Sequence, residues 1–226
     1  MKKSKVAIIG GGSAALLAAD QLSMDFDVHI YEKGKALARK FLVAGDGGFN
    51  ITNSEKCPTI LKCYSNDRIL HEALNLFDTT DTIQWLKGMG IQTFVGSSGR
   101  VFPEKDMKPI HVLNKIMNQL EHKKVQIHYQ HEFKGFDTNF NPIIFNEQTP
   151  IDFEADYVIF ALGGSSWSVT GSDGKWTDSF KKVGLKLNPF EPSNCGVNIP
   201  WSDEFKTAYE GHYLKNLSIS IGHKTV

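Results

Sequence analysis

Gly10-Gly11-Gly12-Ser13-Ala14-Ala15 follows directly on the apolar run Val6-Ala7-Ile8-Ile9. This spacing fits G-x-G-x-x-G/A, and each position has a mechanical part in holding a pyrophosphate. Gly10 permits a tight turn off a strand, Gly12 has no side chain to keep phosphates away, and Ala15 is small enough for a helix to pack close on a sheet. Ser13 and Ala14 open that helix, whose first turn offers free N–H groups and the positive end of a dipole. Glu32 lies 22 residues beyond Gly10. A carboxylate there accepts hydrogen bonds from adenosine ribose hydroxyls and repels a 2′-phosphate, so NADP is not expected at this turn. Three neighbouring glycines alone could be a flexible turn. Context decides for a dinucleotide.

The elements that must position these residues are legible. Residues 6–9 read as a strand buried on both faces, Ser13 to Leu22 as a helix and Val28 to Tyr31 as a second strand, giving a right-handed βαβ unit. Helical patterns follow at 67–77 and 80–88, a strand at 91–95 and a helix from Pro109 to about Lys123. Strands at 125–131, 132–137 and 142–145, with turns at Gly135 and Asn139–Asn141, predict a small antiparallel excursion. Tyr157 to Ala161 reads as a fully buried strand running into Leu162-Gly163-Gly164, and Ser172 to Val183 as a helix capped by Ser172 or Asp173. Pro189, Pro192 and Pro200 change the texture, and Leu217 to Ile221 alternates like a half-buried strand. These features divide the chain into a dinucleotide-binding domain, 1–190, and the beginning of a β-rich domain, 191–226.

Two features favour FAD over NAD. A glycine-rich segment follows Glu32 and runs from Arg39-Lys40 through Gly45, Gly47 and Gly48 to Asn50, long enough to lie along an extended cofactor. Arg39 and Lys40 would stand near its phosphates, although a solvated pair on a helix has the same appearance. The late strand ending in Ala161-Leu162-Gly163-Gly164 would return to the parent sheet with its glycine end near the cofactor. No second G-x-G-x-x-G unit offers an NADPH domain.

Composition excludes several classes. The 25 basic and 25 acidic residues cancel, so no global field draws the chain to nucleic acid or an anionic membrane. Gly10 to Gly12 interrupt the first apolar stretch, which therefore does not read as a secretory signal, and no run approaches the ~20 apolar residues of a membrane span. Cys57, Cys63 and Cys195 match no zinc pattern. Reduced thiols in a cytoplasmic protein without a bound metal are expected.

Several segments resemble one family. They are Gly10–Ala15, the run from Arg39 to Asn53, Thr93-Phe94-Val95-Gly96-Ser97-Ser98-Gly99-Arg100-Val101-Phe102-Pro103, and Ala161-Leu162-Gly163-Gly164-Ser165-Ser166-Trp167. They resemble the BaiN-like bacterial flavoproteins, a family of NAD(P)/FAD-dependent oxidoreductases. Gly171-Ser172-Asp173-Gly174-Lys175-Trp176 and Pro192-Ser193-Asn194-Cys195-Gly196 are similar to an uncharacterised subfamily of it. The resemblance implies an α/β fold: a Rossmann-like FAD-binding domain of the glutathione-reductase type, interrupted by an inserted, mostly-β domain. It implies flavin-mediated hydride transfer or oxidation of a small organic substrate, with NAD(P)H as a candidate partner. By motif match it implies FAD contacts at Gly10, Gly12, Glu32, Lys33, Arg39, Lys40, Gly45, Asn50, Ala161 and Gly163, beside the helix-opening Ser13 and Ala14. Many members carry Arg-Cys where this chain has Gly48-Phe49, so no role of those two side chains carries over. Members of the family run to about four hundred residues, a two-domain length. The chain is therefore expected to be an N-terminal portion without the segment that completes the flavin pocket.

No Ser–His–Asp or metal constellation stands out. Arg100, in a Gly-Arg-Val-Phe-Pro turn, is the one candidate for a substrate-side group, and His111, His128 and His131 read as structural or exposed. The expected activity is that of an FAD-dependent oxidoreductase. A non-catalytic FAD- or ADP-binding fragment and an NAD-binding dehydrogenase are the alternatives.

Overall fold

A computed structural model describes residues 2–43, 49–64, 68–192, 199–212, 217–218 and 220–225. The chain divides into two compact units, Met1–Phe190 and Glu191–Val226.

In the first unit β1 (Lys5–Ile9) leads through the glycine turn into α1 (Ser13–Leu22) and β2 (Asp27–Glu32). After β2 come the short helix α2 (Arg39–Leu42), β3 (Thr52–Asn53), α3 (Arg68–Leu76), α4 (Thr79–Gly88), β4 (Thr93–Val95), β5 (Arg100–Pro103) and α5 (Pro109–His122). Then follow β6 (Gln126–Tyr129), β7 (His131–Phe136), β8 (Pro142–Asn146), β9 (Thr149–Pro150), β10 (Tyr157–Phe160) and α6 (Trp176–Lys182). The main sheet is parallel, in the order β10-β1-β2-β6.

Alternation along β1 and β2 sets the layers. Val6, Ile8, Val28 and Ile30 face a layer of helices, where Ala15, Leu16 and Ala19 of α1 meet Val112, Leu113, Ile116 and Leu120 of α5. Ala7, Ile9 and Tyr31 face the other way, onto Ile144 and Phe133 of the antiparallel sheet β7-β8-β9. Each large aliphatic side chain buried in this way contributes about 2 kcal/mol. The chain is thus an α/β Rossmann-type domain with its parallel sheet enclosed between helices and a second sheet.

Four expectations are corrected. The segment 126–129 is the edge strand of the parallel sheet rather than part of the antiparallel excursion, because its short apolar pattern is the same for either pairing. Gly135 lies inside β7, at φ +143° and at a register shift opposite β8, so it makes a bulge and not a turn. β10 occupies the other edge of the sheet and is only half-buried, with Tyr157 exposed; sequence cannot tell an edge strand from a central one. The last helix of this unit begins at Trp176, and Ser172, placed before it, turns inward instead of capping it.

The second unit contains a helix that strand patterning missed, α7 (Asp203–Tyr209), with Ser202 Oγ accepting the Phe205 amide at 3.3 Å. It also contains the hairpin β11 (Ser220–Ile221) with β12 (Lys224–Thr225). Among the described residues no helix is long and apolar enough to cross a membrane.

Asp20 joins the helices of the first unit. It is buried in α1, its carboxylate 2.7 Å from Lys123 Nζ and accepting the Trp85 indole N–H at 2.7 Å. Lys123→Met leaves this carboxylate without its cation, and removing one partner of a buried pair is costly. The expected loss is about 3 kcal/mol in chemical denaturation, the low end for a buried pair because Lys123 stays partly exposed. An unchanged unfolding midpoint would remove this pair from the account of the fold.

Candidate cofactor site

The end of β1 enters a crowded crossing. Gly10 has φ +106°, and a Cβ built on it would lie 2.3 Å from the Ala161 carbonyl oxygen. Gly11 is crowded by side chains instead: its Cβ would meet Leu37 Cδ2 at 2.3 Å and Glu32 Oε2 at 2.7 Å, flexible ends that could move aside. Gly12 is the opposite case, for a Cβ there would meet nothing within 4 Å. Gly10 lets two backbones converge, and Gly11 makes room for two side chains. The third faces open space.

Hydrogen bonds hold the convergence. Gly10 N donates to Tyr31 O, Ala161 N to Ile9 O, and Ala38 N to Gly11 O, each at 2.8 Å. Leu16 N closes the first turn of α1 on Gly12 O at 3.1 Å. The amides that precede it in the helix point along its axis toward the open space beside Gly12. Glu32 Oε1 accepts the Gly34 amide at 2.6 Å, which fixes the carboxylate beside the turn.

These residues form one wall of a cleft of about 950 Å³. Of the residues expected from sequence, Gly10, Gly12, Ser13, Ala14, Glu32, Lys33, Arg39, Lys40, Ala161 and Gly163 all line it. Asn50 is exposed and does not, and Gly45 lies outside the described residues. Arg100 is in β5, pairing with Asn53 on β3, and is not a lining residue. That sheet, β3-β5-β4, replaces the expected turn around Arg100, which Gly99 at φ +75° supplies one residue earlier.

The opposite wall is built by the segment after β10, which sequence reasoning left largely unassigned. Trp176 Nε1 donates to Gly163 O and Ser172 Oγ to Gly164 O, both at 3.0 Å, so the glycine turn is tied down from behind. Three basic side chains reach across to this segment. Lys33 Nζ is 3.1 Å from Asp173 Oδ2, Arg39 Nη2 donates to Val169 O at 3.0 Å, and Lys40 Nζ donates to Ser166 Oγ at 2.5 Å. Burial opposes ionisation of Asp173, yet hydrogen bonds from Lys33 and the Lys175 amide outweigh it and hold its carboxyl below the usual range. Farther along, Phe133, Phe160, Trp176 and Phe180 make an apolar end, with Phe160 and Phe180 edge-to-face at 5.0 Å. A signal for these partners was present only as residue type; their distance in sequence hid the pairing.

The cleft therefore has a cationic, amide-rich part beside Gly12 and an aromatic part beside Phe160. That combination suits an elongated ligand with phosphates and a flat ring. The space at Gly12 and the directed amides of α1 fit the diphosphate of FAD.

A column of rings borders the cleft at Tyr31 and His131. His29 Nδ1 and His128 Nε2 are 3.0 Å apart, and Tyr31 stacks on His128 with centroids 4.6 Å apart. Burial, then the neighbouring His29, His131 and Lys5, lowers the His128 pKa from 6.5 to about 4. Burial, reinforced by Asp27, raises that of Tyr31.

The wider comparisons agree with this architecture. The HI0933-like protein Rossmann domain matches residues 4–210. A 3-dehydro-bile acid delta(4,6)-reductase of Clostridium scindens is 26% identical over 201 residues, covering 87% of this chain and 48% of the relative. A ribosomal RNA dihydrouridine synthase of Haemophilus influenzae is 24% identical over 208 residues, covering 90% and 51%. The chain thus spans about half the length of the curated relatives it matches. Among solved structures, Thermovibrio ammonificans THI4 superposes with a TM-score of 0.52 at 18% identity, over 82% of this chain and 65% of that one. A 3-ketosteroid-delta4-(5alpha)-dehydrogenase from Rhodococcus jostii does so with 0.53 at 13%, over 72% and 46%. At these identities the two structures speak for the fold.

The histidine column carries a pH dependence. A folded-state pKa of about 4 against 6.5 means that the unfolded chain binds more protons between those values. Stability is expected to fall as pH drops from about 6.5 toward about 4, and to fall less steeply in His128→Gln. Denaturant midpoints across that range, identical in slope for both proteins, would contradict it.

Proposed function

The chain belongs to the HI0933-like Rossmann-domain family of FAD-binding flavoproteins, and on that premise we propose that it forms the FAD-binding part of an oxidoreductase acting on a small organic substrate. The observation that carries this reading is the open space at Gly12, framed by the first turn of α1 on one side and Glu32 on the other.

In this reading the amides of Ser13 and Ala14 and the basic side chains of Arg39 and Lys40 hold the diphosphate. Glu32 accepts hydrogen bonds from the adenosine ribose. Gly163 and Ala161 admit the cofactor by close backbone approach, and Ser172 and Trp176 hold that backbone in place. When bound, FAD supplies hydride transfer, and the protein supplies position and electrostatics. The aromatic end of the cleft excludes water beside it. Asn50 and Gly45 remain proposed contacts from the family resemblance.

We assign residues 1–190 to the FAD-binding domain and 191–226 to the beginning of an inserted domain. The proposed compartment is the cytoplasm, in keeping with the free thiols of Cys57 and Cys63. Two curated relatives are named a 3-dehydro-bile acid delta(4,6)-reductase and a ribosomal RNA dihydrouridine synthase, and those names support reduction of a carbon–carbon double bond as the reading for this chain. Reduction of such a bond, with NAD(P)H as donor, is the favoured direction.

The purified chain is expected to carry flavin absorption bands near one per chain, or to acquire them on addition of FAD. Gly12→Val, at φ −81° with open space around the new side chain, is expected to keep the fold and to bind FAD about 100-fold more weakly, roughly 2.7 kcal/mol. Visible spectra and circular dichroism of both proteins check this. A folded wild-type chain that stays colourless in excess FAD defeats the proposal, and so does a Gly12→Val protein that binds FAD normally.

A further inference from the structure

Lys33 immediately follows Glu32 at the end of β2, where Rossmann units read the adenosine ribose. A basic group at this place is what accommodates a 2′-phosphate, so Lys33 by itself would favour phosphorylated nucleotides. The structure gives it another partner. Lys33 Nζ pairs with Asp173 Oδ2 at 3.1 Å, and the Asp173 carboxylate is oriented from its other oxygen by the Lys175 amide at 3.2 Å. Gly171, at φ +92°, brings that turn onto the lysine stem, for a Cβ there would lie 3.4 Å from Lys33 Cε. Nearby on the cleft wall, Glu132 and Lys134 pair with each other.

We propose that Asp173 is a specificity-determining residue of the nucleotide site, pairing with Lys33 so that adenine nucleotides bearing a 2′-phosphate are rejected. This rests on the FAD reading above. A 2′-hydroxyl beside Glu32 leaves the Lys33–Asp173 pair intact. A 2′-phosphate seeking Lys33 must compete with the Asp173 carboxylate for it, in a cleft that Glu32 also lines. Arg39 and Lys40 lie on the same cleft but donate to Val169 O and Ser166 Oγ, toward the phosphate part. A single like charge about 6 Å away, in a half-exposed site, is worth about tenfold in affinity.

The test compares ADP-ribose with 2′-phospho-ADP-ribose, which differ only in that phosphate, by calorimetric titration of the cofactor-free chain. Wild type is expected to prefer ADP-ribose by at least about tenfold. Asp173→Asn should strengthen 2′-phospho-ADP-ribose binding about tenfold and leave ADP-ribose within about twofold. The same change in a Lys33→Gln background should lose most of that gain. Lys33→Gln alone leaves Asp173 without its cation and should weaken 2′-phospho-ADP-ribose further relative to ADP-ribose, by up to about tenfold. An Asp173→Asn protein with the wild-type ligand ratio overturns the inference, as does a Lys33→Gln protein that binds the phosphorylated ligand more tightly than wild type. If ADP-ribose itself does not bind the wild-type chain, the nucleotide reading fails, and this inference with it.

Discussion

The structure depends on what is missing from three side chains at the end of β1. Backbone at Ala161, just after β10, presses against Gly10 at a distance no Cβ would tolerate, and the side chains of Leu37 and Glu32 crowd Gly11. One residue later the same turn opens into a cleft. Close packing and an open cradle thus alternate within three residues. The end of β1 and the chain leaving β10 can meet so closely only because Gly10 is bare, and Gly12 is left facing open space.

That convergence also organises charge. The amides at the start of α1 make a positive end, Glu32 fixes a negative group beside it, and Lys33, Arg39 and Lys40 reach over the cleft from the following segment. The basic groups do not stand free: each is hydrogen-bonded to the strip that follows β10. The two walls are therefore coupled by electrostatics as well as by the backbone bonds of the sheet. The rings of Phe133, Phe160, Trp176 and Phe180 add an apolar surface to the same cleft. A dinucleotide with a flat redox ring has both kinds of surface.

Beneath the cleft the layers divide the work. Val6, Ile8 and Ile30 bind the helices, and Ala7, Ile9 and Tyr31 bind the antiparallel sheet. The second face tolerates the histidine column because His29 and His128 satisfy each other across neighbouring strands. The first tolerates Asp20 because Lys123 and Trp85 meet it there. Both groups enter the core paired.

Local signals were enough for much of this. The order β1, α1, β2, the G-x-G-x-x-A turn and the acid at Glu32 follow from short-range rules, since a turn off a buried strand into a helix needs those residue types at those spacings. Ten of the twelve residues singled out on that basis and by resemblance line one cleft. Tertiary structure alone decided the rest. Gln126–Tyr129 looked like part of a meander, and only its pairing with β2 made it parallel. Gly135 looked like a turn until β8 gave it a bulge to make. Asp173, Ser172 and Trp176 carried no sequence pattern linking them to Lys33, Gly164 and Gly163, because contacts between residues 8 to 140 apart leave no local periodicity. Short-range chemistry wrote the turn; the folding of distant segments onto it chose what each charge would face.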